Sequence, residues 1–598
     1  MSADFGLHLD WTGHALPAGP LTRAALAQPF AVGPWRAQLS AVGVRPVVCP
    51  ASDVVALLHG QVYGTPVAAL PALYRQHGAA LGRHIEGAYT LVLLDLRQGT
   101  VSVITDPSGS HKLYAAHDGD HVALATRADW AGFQPRPLDP AGVAAYLATG
   151  NMFGGLTLHA GVRALPRASV TTVERTRLHV QEYWSVSPGP LTGSVTEDLT
   201  RELAHLLRAA TARRVAEAGP RVILSLSGGY DSRGLLSLLA SGGPALQSFS
   251  YALGDQTRRS DTSVAARLAA QYGAQHTVIG AYGGDLPSTV RHNAQWGQGV
   301  THFCDEADAW TQLGALRPTD VFTGEQAFEL CSHPLKTVPE QLKNHYLTGF
   351  APLAWLQGRI PADRYATLEG AWQAELDVIT ARTLNWEHPA QRDLMLMLDQ
   401  HLPHVLLPWR ERFAGHAARV HTPFLDTEVL NFLSRIPLPA MADKALFRAA
   451  LLHLDPQLLR VPIAASQGYE PDWNAELIAQ RAAVQAMADQ PSRIDELLEP
   501  GLIAGLLDDL TLPSRRATLK GHVRSHLGRL RRTPLGTRLL GVPGLRIGTV
   551  DHATFLMRLL TLRAADAVVT AHPAHARRAD PGVLNVLTAP AYTAPAGD

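Results

Sequence analysis

The chain has 598 residues, 46% of them hydrophobic, with 52 Lys+Arg balanced by 52 Asp+Glu. That length calls for more than one domain, and that composition excludes wholesale disorder. The charge balance excludes a globally basic chain steered to nucleic acid or membrane, and no apolar run reaches membrane-spanning length. No basic segment leads into an apolar core at the N-terminus. The three cysteines (Cys49, Cys304, Cys331) give neither an even disulfide framework nor paired metal spacing, so a reducing cytoplasm is the expected setting.

Residues 1–190 are rich in short alternating runs. Ala88–Asp95 and Val101–Thr105 flank a polar turn and read as a hairpin, and Val122–Thr126 as a further strand. Helical patterns fall near 52–59, 66–77 and 140–149, so an α+β layered domain is expected. Glu197–Glu217 has leucines at helical spacing. Short strands at Arg221–Leu226, Leu246–Leu253, His276–Ile279 and Asp320–Thr323 then alternate with helices at Arg233–Ala240 and Asp261–Tyr272. That alternation predicts an α/β domain with a parallel sheet over 195–500, in which ligands bind at the C-terminal strand ends. Helical patterns dominate from Pro361 to Leu396, and Pro403 is expected to interrupt a helix at His401–His404. The third division, 501–598, holds a basic amphipathic stretch at 515–532, a helix over His552–Val568 and a loosely ordered end.

The stretch most suggestive of chemistry is Ser227-Gly228-Gly229-Tyr230-Asp231-Ser232. It lies between an apolar strand and a helix. Its glycines permit tight turning and close approach of a ligand, and the helix start offers unpaired N–H groups to an anion. Ser227 and Ser232 add hydroxyls, and Asp231 is a magnesium ligand candidate. No Gly-x-x-x-x-Gly-Lys-Ser/Thr run occurs, so this is not a Walker A loop. Thr323-Gly324-Glu325 leaves another strand end and is placed to face the same nucleotide. The grouping of His302, Cys304, Asp305 and Glu306 has no regular ligand pattern and reads as chance in a chain with 27 histidines.

The six-residue loop resembles the pyrophosphate loop of ATP pyrophosphatases, and the order of motifs along the chain resembles the asparagine synthetase family. In the N-terminal part the similarity rests on His59-Gly60-Gln61-Val62-Tyr63-Gly64, Gly87–Asp95, Asp106–Gly109 with Leu113-Tyr114, Leu158–Val162, Leu165-Pro166 and Tyr183-Trp184. These look like a glutamine amidotransferase domain of the N-terminal nucleophile hydrolase type. Further on it rests on Asp261–Gly273, Asp320–Leu330, Arg419–Asp426, Lys444–Arg448 and Leu459–Pro471. The resemblance implies an α+β amidotransferase-like domain followed by a parallel-sheet ATP pyrophosphatase domain with a large helical C-terminal part. It implies ATP and Mg2+ as cofactors, with Ser227, Gly228, Gly229, Asp231, Ser232, Gly324 and Glu325 around ATP and Asp231 and Glu329 as metal ligands. No catalytic residue is assigned.

Several positions depart from the family pattern. Ser2 stands where that family has its cysteine nucleophile, so the N-terminal domain is expected to lack glutaminase activity. His59 replaces an asparagine, Phe328 an aspartate metal ligand, and Ser466 a lysine that neutralises the adenylate reaction. The β-lactam synthetase and lasso-peptide cyclase branches also keep the N-terminal fold without that chemistry.

Two readings stay open. One is a ligase that adenylates a small-molecule or peptide carboxylate and transfers it to ammonia or an amine, releasing AMP and pyrophosphate. The other is a catalytically degenerate homologue that binds nucleotide or a partner. Neither nucleic acid nor membrane is expected as a partner; a homodimer is.

Overall fold

The computed structural model describes residues 4–14, 26, 28–42, 46–49, 51–241, 246–253, 259–330, 335, 337–345, 353–465, 471–499, 501–510, 551–570 and 587–588. Ser2, Cys331, Ser466 and the basic stretch 515–532 lie outside these residues.

The N-terminal part stacks two mostly antiparallel sheets. The first runs Val162–Ala164, Tyr114–Asp118, His121–Ala125, Asp4–Trp11, Trp35–Val42, Phe30–Val32. The second runs Leu178–Glu182, Ser169–Val173, Thr100–Thr105, Glu86–Asp95, Val54–Tyr63, Val47–Cys49, Leu587–Thr588. The expected hairpin closes at the pair Asp95↔Thr100. Arg75 grips the Asp95 carboxylate beside the turn, with Nη2–Oδ1 at 2.8 Å. Leu7, Leu9, Trp35 and Leu39 of the first sheet pack between the layers on Val55, Leu57, Val92 and Val103 of the second. Helix Leu70–His77 covers the outer face of the second sheet and helix Pro140–Thr149 that of the first, which makes four layers. Asp139 caps the latter helix by accepting from Ala141 N at 2.9 Å, Pro140 takes its first turn, and Gly150 ends it at φ 77°.

The helix expected near 52–59 is a strand. Val54–Tyr63 pairs residue for residue with Glu86–Asp95. Most of its length is buried, so its apolar run reflects cover on both faces rather than one helical stripe.

The second half holds five parallel strands in the order Gln275–Gly280, Gln247–Ala252, Val222–Ser225, Asp320–Phe322, Arg419–His421. Side chains alternate across this sheet. Val222, Leu224 and Phe322 pack on helices Glu197–Glu217, Tyr230–Ala240 and Ala445–Leu454. Ile223, Phe249 and Val321 pack on Trp310, Trp409 and Phe413 on the other side. A helical path also runs through Pro403, where a break was expected. Residues Met397–Leu406 and Arg410–Ala414 form π-helical turns, whose wider spacing accommodates the ring that an α-helix would press on the preceding turn.

One further core ties the chain together. It joins helix Pro140–Thr149, every residue of which is buried except Pro140, to helices Leu286–Gly297, Ala362–Thr383 and His552–Thr570. Arg558 Nη1, in the last of these, donates to Leu147 O at 2.8 Å. Among the described residues no helix is long and apolar enough to cross a membrane.

Candidate functional site

Strand Val222–Ser225 runs into the Ser/Gly loop, and helix Tyr230–Ala240 starts directly after it. The loop is tied internally. Ser227 N donates to Ser232 Oγ at 3.0 Å, the two hydroxyls lie 2.9 Å apart, and Gly229 N donates to Ser227 Oγ at 3.2 Å. Gly228 N donates to Asp261 Oδ1 at 3.0 Å, so the next helix anchors the loop from the side. Burial pushes the Asp261 carboxyl up, and the Gly228 N–H offsets part of that rise.

Arg233 secures the loop from below. It is fully buried, and its guanidinium donates to five carbonyls: Gly228 O at 3.1 Å, Gly229 O at 3.2 Å, Leu458 O at 2.9 Å, Pro462 O at 3.2 Å, and Val461 O. These bonds fasten the loop to segment 458–462.

Thr323-Gly324-Glu325 converges on the same place. A Cβ on Gly324 would lie 2.9 Å from Asp231 C and 3.0 Å from Ser232 N. Only a residue without a side chain lets that strand end touch the helix start. Gly324→Ala is expected to displace the loop or lose about 1–3 kcal/mol of stability, because the obstacle is backbone; denaturant unfolding measures it. An unchanged midpoint with an unchanged nucleotide response would contradict the close approach.

The acidic groups gather around one cation. Lys444 Nζ lies 2.7 and 3.0 Å from the two Asp231 oxygens and 3.2 Å from Glu329 Oε2. Glu325 accepts from Arg410 Nε at 2.6 Å through Oε1, while its Oε2 is buried without a hydrogen-bond partner. Burial pushes the Asp231 carboxyl above its ordinary range; Lys444 opposes that shift, and Glu329 and Glu325 add to it. Lys444 is pressed down by burial, but Asp231 and Glu329 outweigh this and hold it above the usual lysine value.

This donor set fits a hard divalent cation. Asp231 and Glu329 are all-oxygen ligands that already converge on one positive charge, and the orphaned Glu325 oxygen lies on the segment that abuts Asp231. The Lys444 ammonium stands between the first two. Phe328, at the position of the missing aspartate, points into the core, where its ring stacks on Phe447 at 5.8 Å.

The site residues singled out in the sequence therefore lie together. Lys444, Asp261, Arg233 and Arg410 join them without having been picked as site residues. Arg233 follows the loop directly, and Lys444 opens the Lys444–Arg448 segment that carries part of the family resemblance, just before helix Ala445–Leu454. Arg419 and His421 serve the fold instead: both bind Asp320, at 3.0 and 2.7 Å. His302, Cys304 and Glu306 do not converge as ligands; His302 N donates to Asn151 Oδ1 at 3.1 Å, and Cys304 is buried.

A search of the curated proteins returns no match. Among solved structures, the chain is similar to an NMN synthetase from Francisella tularensis, at 16% identity over 22% of this chain and 55% of that one, TM-score 0.16. It thus spans about half the length of that protein. A glutamine phosphoribosylpyrophosphate amidotransferase from B. subtilis, complexed with ADP and GMP, is similar at 10% identity over 47% of this chain and 91% of that one, TM-score 0.20. The glutamine amidotransferase domain model matches residues 67–184. The asparagine synthase model matches residues 202–520, more than half of the sequence and inclusive of the whole cradle just described, so the chain belongs to the asparagine synthase family.

Proposed function

We propose that this chain is an ATP-dependent carbon–nitrogen ligase, which activates a carboxylate as its acyl-adenylate with release of pyrophosphate and passes it to ammonia or an amine, with release of AMP. The observation that carries this reading is the convergence of the Ser/Gly loop, the start of helix Tyr230–Ala240 and Gly324 on one spot at the C-terminal edge of the parallel sheet. The loop amides, the Ser227 and Ser232 hydroxyls and the helix start would bind the phosphates. Lys444 would neutralise charge that develops on the departing pyrophosphate. Asp231 and Glu329, with Glu325 beside them, would hold Mg2+, which when bound shields the phosphate charges. Ammonia or an amine is favoured over glutamine because His59, in the place of the family's asparagine, is turned to Glu411 at 2.6 Å.

Mg2+–ATP at about a hundred times its dissociation constant should stabilise the protein by about 2.7 kcal/mol. That gain should shrink in Asp231→Ala, and pyrophosphate release should appear when the right carboxylate and amine are supplied. Thermal unfolding with and without Mg2+–ATP checks the first point. No stabilisation of the well-folded native protein at millimolar ATP would remove the ligase reading.

The burial of Phe328 against Phe447 favours a second reading, a nucleotide-binding homologue that does not turn over. Its signature is stabilisation by Mg2+–ATP without pyrophosphate release across a broad panel of carboxylates and amines.

A further inference from the structure

Away from the nucleotide cradle, three metal-ligating side chains meet between the two halves of the molecule. His59 belongs to strand Val54–Tyr63, His111 to the turn before Tyr114, and Glu411 to the π-helical turn Arg410–Ala414. Glu411 Oε1 lies 2.6 Å from His59 Nε2 and 3.3 Å from His111 Nδ1, and the three ligand atoms all lie within 4.8 Å of one another. The imidazole rings stand edge to face, 4.7 Å between centroids.

Two independent features mark this as more than a chance meeting. Glu411 keeps only 4% of its side chain exposed, yet its Oε2 is buried with no hydrogen-bond partner. An orphaned carboxylate oxygen is costly to bury and calls for a partner. In addition Gly60, at φ 99°, leaves the space His111 fills, since a Cβ there would lie 2.5 Å from the His111 ring.

We infer that His59, His111 and Glu411 form a binding site for a divalent transition metal, zinc foremost, which clamps the amidotransferase-like half to the synthetase half. Two imidazoles and one carboxylate are a zinc ligand set that leaves the fourth tetrahedral position open. Bonds of about 2.0–2.2 Å at tetrahedral angles put ligand atoms roughly 3.4 Å apart. The separations of 2.6 and 3.3 Å both lie below that value, so the His59–Glu411 contact must open by about 0.8 Å on metal binding while His111–Glu411 holds. The neighbouring cations oppose the metal only in part. Arg412 Nη2 lies 3.8 Å from Glu411 Oε1 but also donates to Thr126 O and faces Asp4 and Asp129. Lys112, which follows His111, is buried as well. The inference does not depend on the nucleotide reading.

The test uses the full chain, stripped with chelator, dialysed and titrated with Zn2+ and with Co2+. One equivalent per chain should bind, Co2+ should develop the intense visible absorption of tetrahedral coordination, and Zn2+ should raise the melting temperature. His111→Ala and Glu411→Gln should lose all three effects. His84→Ala should retain them, although His84 stacks on His77 at 3.8 Å and offers a surface histidine pair as a competitor. No tight equivalent in the native protein, or equal binding by His111→Ala, overturns the site. Should either variant fail to fold, zinc K-edge absorption of the native protein decides: two imidazoles plus oxygen support the site, and an all-oxygen shell overturns it.

Discussion

Lys444→Met is expected to lower stability in the absence of divalent metal and to raise it more strongly than in the native protein once Mg2+ is added. The lysine ammonium neutralises Asp231 and Glu329 at 2.7–3.2 Å. Without it two carboxylates face each other beside the buried Glu325 oxygen. Removing one partner from a fully buried ion pair costs 3–5 kcal/mol. These side chains are 17%, 30% and 52% exposed, which scales the loss to about 1–3 kcal/mol. Asp443 and Lys444 also adopt left-handed backbone at φ 49° and 59°, a conformation that costs non-glycine residues energy. Methionine keeps that cost and loses the compensating pair. The lysine contribution is present throughout the neutral range, because a raised lysine pKa loses its stabilising effect only as pH climbs past the ordinary lysine value into its own. Thermal unfolding of native and variant protein across a Mg2+ titration reads both effects. An identical Mg2+ response in the two would show that the carboxylates do not take up the cation.

Arg233→Met is expected to cost about 3–5 kcal/mol, because it strands five carbonyls around one guanidinium, three of them in buried bonds. Methionine fills much of the volume and supplies no donor. Arg233→Lys should recover only part, since an ammonium has three donors and none of the planar reach that spans Gly228 on one side and Leu458–Pro462 on the other. Burial already pushes the Arg233 pKa down, so the site tolerates the charge only through these acceptors. The second expected consequence is local. Freed from segment 458–462, the Ser/Gly loop should lose nucleotide-dependent stabilisation by more than the global loss explains. Denaturant unfolding with and without Mg2+–ATP separates the two. A variant within 0.5 kcal/mol of native, roughly the range of an ordinary surface change, would refute the clamp.

What sequence alone disclosed was local. The loop, its strand and its helix are contiguous, and their signals are periodicity and glycine, so the cradle and the parallel sheet could be read directly. The partners that give the cradle its charge are remote. Lys444 lies 213 residues beyond Asp231, and Asp261 33 beyond Gly228. Glu411 reaches His59 across 352 residues, a distance over which a single sequence carries no pairing signal. The error at 52–59 has the same origin. An apolar stretch with a valine pair fits helix or buried strand, and pairing with Glu86–Asp95 decides between them. At Pro403 the rule that proline breaks a helix holds for α geometry, and the chain escapes it by changing the turn.

Helix His552–Thr570 has a consequence for the order of manufacture. It packs in the same core as helix Pro140–Thr149, and Arg558 bonds Leu147 across 411 residues of chain. During synthesis the first half therefore emerges with part of one apolar face bare, and that part stays so until helix His552–Thr570 has been made. A stop before residue 552 leaves that part uncovered, and a cut near residue 190 also removes helices Leu286–Gly297 and Ala362–Thr383 from the same core.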